Sequence, residues 1–217
     1  MKATLIGSSG LVGSYLLNQL LNDSLFVQVQ ILVRKKLSVS HPKLTQVVVD
    51  FERADEFQAA ILEQSVVFSC IGTTQKKVHG DLHAYRKIDF DITVHAAEAA
   101  KHKLCSHFIF ISAVGAASNS ANFYLKLKGE IEVAIEKLQL PRTIVMRPSL
   151  LLGKRQENRM AEQMGQWIMP IFSWLLPHRY RPIQAHQLAG KMIEMSKSTA
   201  LGWHIVEGKE LFTAHHG

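Results

Sequence analysis

The chain has 217 residues, enough to bury one sizeable core and too few for two ordinary domains. Hydrophobic residues make up 47% of it and charged residues 20%, a balance that excludes a disordered chain. The formal net charge of +7 is spread over Arg34-Lys35-Lys36, Lys76-Lys77, Lys101, Lys103, Lys126, Lys128 and Lys154-Arg155. No basic arm results, which argues against a dedicated nucleic-acid surface and suits a phosphate-rich small ligand.

In chain order, Lys2 to Ile6 reads as a short strand followed by a glycine turn. Leu11 to Leu21 carries apolar residues on a helical period and stops at Asn22-Asp23. Val27 to Val33 and Val47 to Val49 are branched strand runs, Ala54 to Glu63 is helical, and Val66 to Ile71 has the continuous apolar character of a buried parallel strand. Leu82 to Lys103 carries one long helical pattern. His107 to Ile111 is a strand, Tyr124 to Leu138 a helix, and Arg142 to Met146 a strand closed by Arg147-Pro148. Beyond Ser149 the pattern loosens into helical stretches at Glu162 to Leu176 and Ala185 to Ser196 and a strand at Trp203 to Val206. This alternation predicts an α/β fold, a Rossmann-type doubly wound parallel sheet. A single NAD(P)-binding domain over 1–217 is expected, with 149–217 contributing a small substrate lobe.

The glycine turn reads Gly7-Ser8-Ser9-Gly10-Leu11-Val12-Gly13. Gly7 suits the tight turn after a strand, Gly10 a close backbone approach to pyrophosphate, and Gly13 a helix packed hard on the sheet. The free N–H groups at the helix start would face the phosphates. A strand precedes the turn and a helix follows it, which a chance glycine cluster does not provide. At the end of the second strand, where an NAD site places an acid on the ribose hydroxyls, the chain has Arg34-Lys35-Lys36. Arg34 suits paired hydrogen bonds to a 2′-phosphate and Lys35 adds charge, so NADP(H) is the expected cofactor.

After the fifth strand come Ser112-Ala113 and then Tyr124-Leu125-Lys126-Leu127-Lys128. Tyr124 and Lys128 stand four apart and share a helix face. A tyrosine exchanging a proton near neutral pH needs its phenol brought down from a pKa of about 10, and a neighbouring ammonium favours the phenolate. A serine hydroxyl can orient the oxygen being converted. Tyr124, Lys128 and Ser112 are therefore the candidate catalytic residues.

These motifs resemble the atypical short-chain dehydrogenases/reductases, in particular the subgroup of the Tat-interacting oxidoreductases and their bacterial relatives. The resemblance rests on the glycine pattern, Leu25-Phe26, Arg34-Lys35-Lys36, Val49-Asp50-Phe51, Gly72-Thr73-Thr74, Ser118-Asn119-Ser120, Asn122-Phe123, the run from Tyr124 to Glu132, Arg147-Pro148 and Arg155-Gln156-Glu157. It implies NADPH binding, with Asp50 and Phe51 at the adenine, Gly72 and Thr73 along the nicotinamide ribose, and Pro148 near the nicotinamide amide. Tyr124 and Lys128 fall on the family's catalytic pair. Such proteins often carry two adjacent hydroxyl residues after the fifth strand, and Ala113 replaces the second here.

Three functions remain in view: hydride transfer to or from a small carbonyl or alcohol, a cofactor-binding sensor acting through a protein partner, and a nucleotide-sugar epimerase. The last is disfavoured by the short region after Pro148. The substrate stays unnamed, and a protein partner or a homodimer is compatible with the pattern. The eleven histidines form no ligand set, so no metal is expected; His186 reads as a capping or packing residue. The stretch Trp167 to Leu176 is too short to cross a bilayer and suits core packing, an apolar substrate pocket, a dimer face or contact with a membrane surface. No secretory leader pattern follows Met1, and Cys70 and Cys105 read as buried reduced thiols, so a cytoplasmic protein is expected.

Overall fold

Runs of branched and aromatic residues form the strands, and the computed structural model describes residues 1–73, 78–153 and 180–213. The strands are β1 (Lys2–Ile6), β2 (Gln28–Val33), β3 (Leu44–Val48), β4 (Val66–Ser69), β5 (His107–Ile111), β6 (Arg142–Arg147), β7 (Leu151–Leu152), β8 (Ile183–Gln184) and β9 (Gly202–Glu207). Seven of them make one parallel sheet in the order β3-β2-β1-β4-β5-β6-β9, while β7 and β8 pair separately. Ile6 of β1 pairs with Leu32 on one side and Ser69 on the other. The winding reverses between β1 and β4, which opens a crevice at their carboxyl ends.

The helices are α1 (Leu11–Asn22), α2 (Ala54–Ala60), α3 (Leu82–Arg86), α4 (Ile92–His102), α5 (Phe123–Glu136) and α6 (Ala185–Met195). Leu16 and Leu20 of α1 and Leu188 and Met192 of α6 cover one sheet face, against Leu5, Ile31 and Phe68. Phe57 of α2, Ala96 of α4 and Ile131 of α5 cover the other, against Leu32, Val67 and Phe108. Each fully buried Leu or Phe is worth about 1.5–3 kcal/mol. A strand buried on both faces favours apolar residues on both, which explains the apolar runs 66–68 in β4 and 108–111 in β5.

The doubly wound parallel sheet expected from the alternation is thus present, with shifts at element ends. β3 starts at Leu44, three residues before the apolar run suggested, because Leu44 to Val48 pair with Val29 to Val33. The single helix expected from Leu82 is interrupted by a π-helical turn, Lys87–Asp91, between α3 and α4. The last strand, β9, joins the main sheet beside β6. At α6, Gln184 and Gln187 form the capping box, and the His186 ring meets Tyr15 edge-on at 6.1 Å between centroids. The His186 carbonyl accepts from Gln19 Nε2 at 3.0 Å, so His186 helps dock α6 on α1. The expected helix at Glu162 to Leu176 and the apolar stretch from Trp167 lie outside the described residues.

Candidate functional site

The floor of the crevice is the turn between β1 and α1. Gly7 has φ of +85°, and a Cβ there would lie 2.7 Å from the carbonyl oxygen of Cys70. A Cβ on Gly13 would lie 2.1 Å from the Gly7 carbonyl oxygen. Both distances exclude a side chain, so the helix start is pressed against the strand ends. Gly10 closes the turn by donating its N–H to Gly7 O at 2.9 Å. It also caps α1 without any side-chain hydrogen bond, and the first helical turn carries no acid. The N–H groups of Leu11, Val12 and Gly13 therefore lack an intrahelical acceptor, and their partial positive charge is offered to the crevice. Ser9 is exposed, whereas Ser8 is buried with its hydroxyl unpartnered. This bare cradle fits a pyrophosphate.

Beyond the end of β2, Arg34 and Lys35 are exposed, and the Arg34 guanidinium lies 5.7 Å from the centroid of the Phe51 ring. Arg34 and Phe51 line a cavity of about 150 Å³ together with Glu52, Lys87, Asp91 and His95. Asp50 does not line it. The Asp50 carboxylate accepts from the Glu52 N–H at 3.0 Å, and the Asp50 N–H donates to Glu56 Oε2 at 2.6 Å. Asp50 thus shapes the turn that presents Phe51.

At the other end of the crevice, Gly72 is exposed and the Thr73 N–H donates to Asp89 Oδ1 at 2.8 Å. The Tyr85 hydroxyl donates to Thr73 O at 3.0 Å, fixing the same loop; burial, then the nearby Asp89 and Tyr124, push the Tyr85 phenol pKa up. Helix α5 begins here because Asn122 caps it, its Oδ1 accepting from the Leu125 N–H at 3.1 Å. Tyr124 stands in the first turn and is 39% exposed, leaving its ring open to the crevice. One turn later Lys128 is buried, with Nζ 5.9 Å from the centroid of the Tyr124 ring. Its ammonium pairs with Asp89 Oδ2 at 3.0 Å. Burial pushes the lysine pKa down, but the Asp89 carboxylate and then the Tyr124 oxygen push it up further, so it ends above the usual lysine value. A fixed positive charge is therefore held below the exposed tyrosine.

Ser112 is only 2% exposed, and its hydroxyl donates to Glu132 Oε1 on α5. The same carboxylate receives two hydrogen bonds from Arg147, one from Nε at 2.9 Å. Arg147 also reaches Glu207 on β9 at 3.5 Å. The hydrogen bonds to Glu132 lead the causes that hold the arginine pKa above its usual value. Ser112 is thereby turned into the scaffold joining β5, α5, β6 and β9. Ala113 beside it is buried, and Pro148 is buried with its carbonyl accepting from the Val114 N–H at 3.0 Å.

Asp89 and Glu132 escaped the sequence reading. Asp89 lies in a stretch that reads as ordinary helix, and its partners Thr73 and Lys128 come from distant segments. Glu132 stands four residues after Lys128, and that spacing was the available signal. Thr74 and the Arg155-Gln156-Glu157 run lie outside the described residues. Among the described residues, no group of three or more His, Cys, Asp or Glu side chains is placed to hold a metal, and no helix is long and apolar enough to cross a membrane.

A parallel sheet with this strand order and a glycine cradle at its switch point define a dinucleotide-binding protein of Rossmann type. Residues 7–168 match the NAD(P)H-binding family, and the chain belongs to it. Protein HTATIP2 of Rattus norvegicus is 38% identical over 176 residues, covering 80% of this chain and 70% of its own. Protein FMP52-1, mitochondrial, of Scheffersomyces stipitis is 35% identical over 163 residues, covering 73% and 71%. The resemblance to the Tat-interacting subgroup of the atypical short-chain dehydrogenases/reductases thus holds. MoeE5 in complex with UDP-glucuronic acid and NAD superposes with a TM-score of 0.73 at 14% identity, over 96% of this chain and 76% of that one. The UDP-N-acetylglucosamine 4-epimerase from Methanobrevibacter ruminantium gives 0.71 at 17%, over 95% and 76%. At such identities the likeness is one of fold.

The relatives correct one expectation. Several fungal ones, from Scheffersomyces stipitis, Debaryomyces hansenii and Eremothecium gossypii, are named as mitochondrial proteins, which points away from a purely cytoplasmic location. Cys105 is buried and Cys70 half-buried, and the two are not bonded to each other, which carries no address.

Proposed function

We propose that this protein is an NADP(H)-dependent oxidoreductase acting on a small carbonyl or alcohol, a single domain whose residues 149–217 contribute the substrate lobe. The observation that carries this reading is the buried Lys128 ammonium, paired with Asp89 and placed under the exposed Tyr124 ring. Gly7, Ser8, Ser9, Gly10, Leu11, Val12 and Gly13 would hold the pyrophosphate, Arg34 and Lys35 the 2′-phosphate, Phe51 the adenine face, and Gly72, Thr73 and Pro148 the nicotinamide end. Bound NADP(H) supplies the hydride. Tyr124 exchanges the proton of the reacting oxygen, and the Lys128 charge stabilises its phenolate form. Asp89 keeps Lys128 charged and ties it to the Thr73 loop. Ser112 belongs, in this reading, to the scaffold that holds α5 in place, since its proton is already given to Glu132.

That last feature favours a second reading, a cofactor-binding sensor without turnover. With Ser112 engaged and Ala113 beside it, no hydroxyl at the end of β5 is free to polarise a substrate oxygen. A fluorescence titration with NADPH and NADH, repeated on Arg34→Ala, tests the cofactor. NADPH should bind at least about tenfold tighter, a difference of about 1.4 kcal/mol, and the variant should lose the difference. Equal, weak binding of both would remove the NADP(H) assignment. A carbonyl screen with Tyr124→Phe as control then separates the two readings: oxidation of NADPH by the wild type alone supports the enzyme, and none by either supports the sensor.

A further inference from the structure

The cavity beside Arg34 is lined by both apolar and polar residues, and its carboxylates are not the one expected there. Phe51, Ile88 and Ile92 supply its apolar lining, and Asp91 and His95, from the π turn and α4, join the charged Arg34, Glu52 and Lys87 among its polar residues. Asp91 is half-buried, and its carboxylate makes no hydrogen bond or ion pair with any described residue. His95 Nδ1 is buried and likewise has no partner. Asp50, by contrast, gives one carboxylate oxygen to the Glu52 N–H and does not line the cavity. Unpaired polar atoms beside apolar walls are the composition of a pocket that orients a flat heterocycle by its edge. A carboxylate only accepts hydrogen bonds, so it favours a ring edge carrying an amine and repels one carrying a carbonyl oxygen.

We propose that Asp91 reads the exocyclic amine of the adenine base and makes the pocket selective for adenine over hypoxanthine, with His95 completing the polar edge. This rests on the dinucleotide reading of the crevice and assigns to the π turn a recognition role that the sequence placed on Asp50. A site that rejects an analogue by leaving its own polar group unpaired or repelled discriminates strongly.

The test is calorimetric titration of the full chain with NADPH and with its hypoxanthine analogue, on the wild type, Asp91→Asn, Asp91→Ser and Asp50→Asn. The wild type should prefer the adenine form at least about tenfold, equivalent to about 1.4 kcal/mol. Both Asp91 variants should bring the two ligands within about threefold at an unchanged melting temperature, while Asp50→Asn keeps the preference. Retention of the preference in both Asp91 variants, or its loss in Asp50→Asn alone, overturns the proposal. Equal binding of the two ligands by the wild type also overturns it and leaves the dinucleotide reading standing. If the wild type binds neither, both fall together.

Discussion

Around the glycine turn and the end of β2, polar groups make no hydrogen bond or ion pair with any described residue: the first N–H groups of α1, Arg34, Lys35 and Asp91. Around β5 and α5 the polar groups are already satisfied inside the chain, through Asp89 with Lys128 and through Ser112, Glu132, Arg147 and Glu207. The first arrangement gains its hydrogen bonds only when a ligand arrives, so it contributes affinity. The second is preorganised and contributes position, holding a charge and a phenol in fixed relation at no further ordering cost. Substitutions in the two regions should therefore fail in different ways.

The largest effect is expected at the meeting of the two. Tyr124→Phe should lower turnover by about 10²–10⁴-fold, the usual range for losing a positioned acid/base. Stability should change by less than about 0.5 kcal/mol, since the ring is half-open to solvent. Steady-state rates on any carbonyl found in the screen, set against urea unfolding, would show it; unchanged rates would remove Tyr124 from the chemistry. Next comes Glu132→Ala, which removes the acceptor of Ser112 and leaves Arg147 only the longer contact to Glu207, and should destabilise the fold by about 3–5 kcal/mol. Adding Arg147→Met should recover much of that loss, and failure to recover would show that the network is not an isolated unit. Gly13→Ala forces a Cβ against the Gly7 carbonyl and should cost about 1–3 kcal/mol, with dinucleotide binding abolished in titration even where the variant remains folded.

The smallest effect concerns pH. His107 opens β5 with Nε2 at 2.9 Å from Ser198 O, and burial pushes its pKa below the usual value. The unfolded chain then takes up the proton first. Stability from this group is complete above about pH 6.5 and declines as pH falls through that value toward the lower folded pKa. Urea midpoints between pH 7.5 and 5 should drop more steeply for the wild type than for His107→Phe. Parallel slopes would show that this histidine is not felt.

Much of this was legible in the chain because the signals are local. The glycine turn and the four-residue spacing of Tyr124 and Lys128 each depend on neighbours within a helical turn or two. The basic end of β2 was equally plain. What stayed hidden depends on segments brought together only by folding. Ser112 looked available until Glu132 arrived from α5, and the bond from Asp50 to its own turn, at the Glu52 N–H, was not visible in the sequence. Asp89 gave no sign because apolar periodicity over Leu82 to Lys103 does not reveal a wider turn inside a helix.

That wider turn has a geometric effect. In an α-helix successive residues advance by about 100°, so a π turn, holding one residue more, re-phases everything on either side of it. Here it sends Asp89 inward to the Thr73 loop and Lys128, while Asp91, two positions on, edges the cavity beside Arg34. The two ends of the crevice are thus gauged from the same five residues. Deleting one residue between Lys87 and Asp91 would restore regular winding yet rotate one acid out of register with its target, so chain length here acts as a calliper on the distance between the pockets.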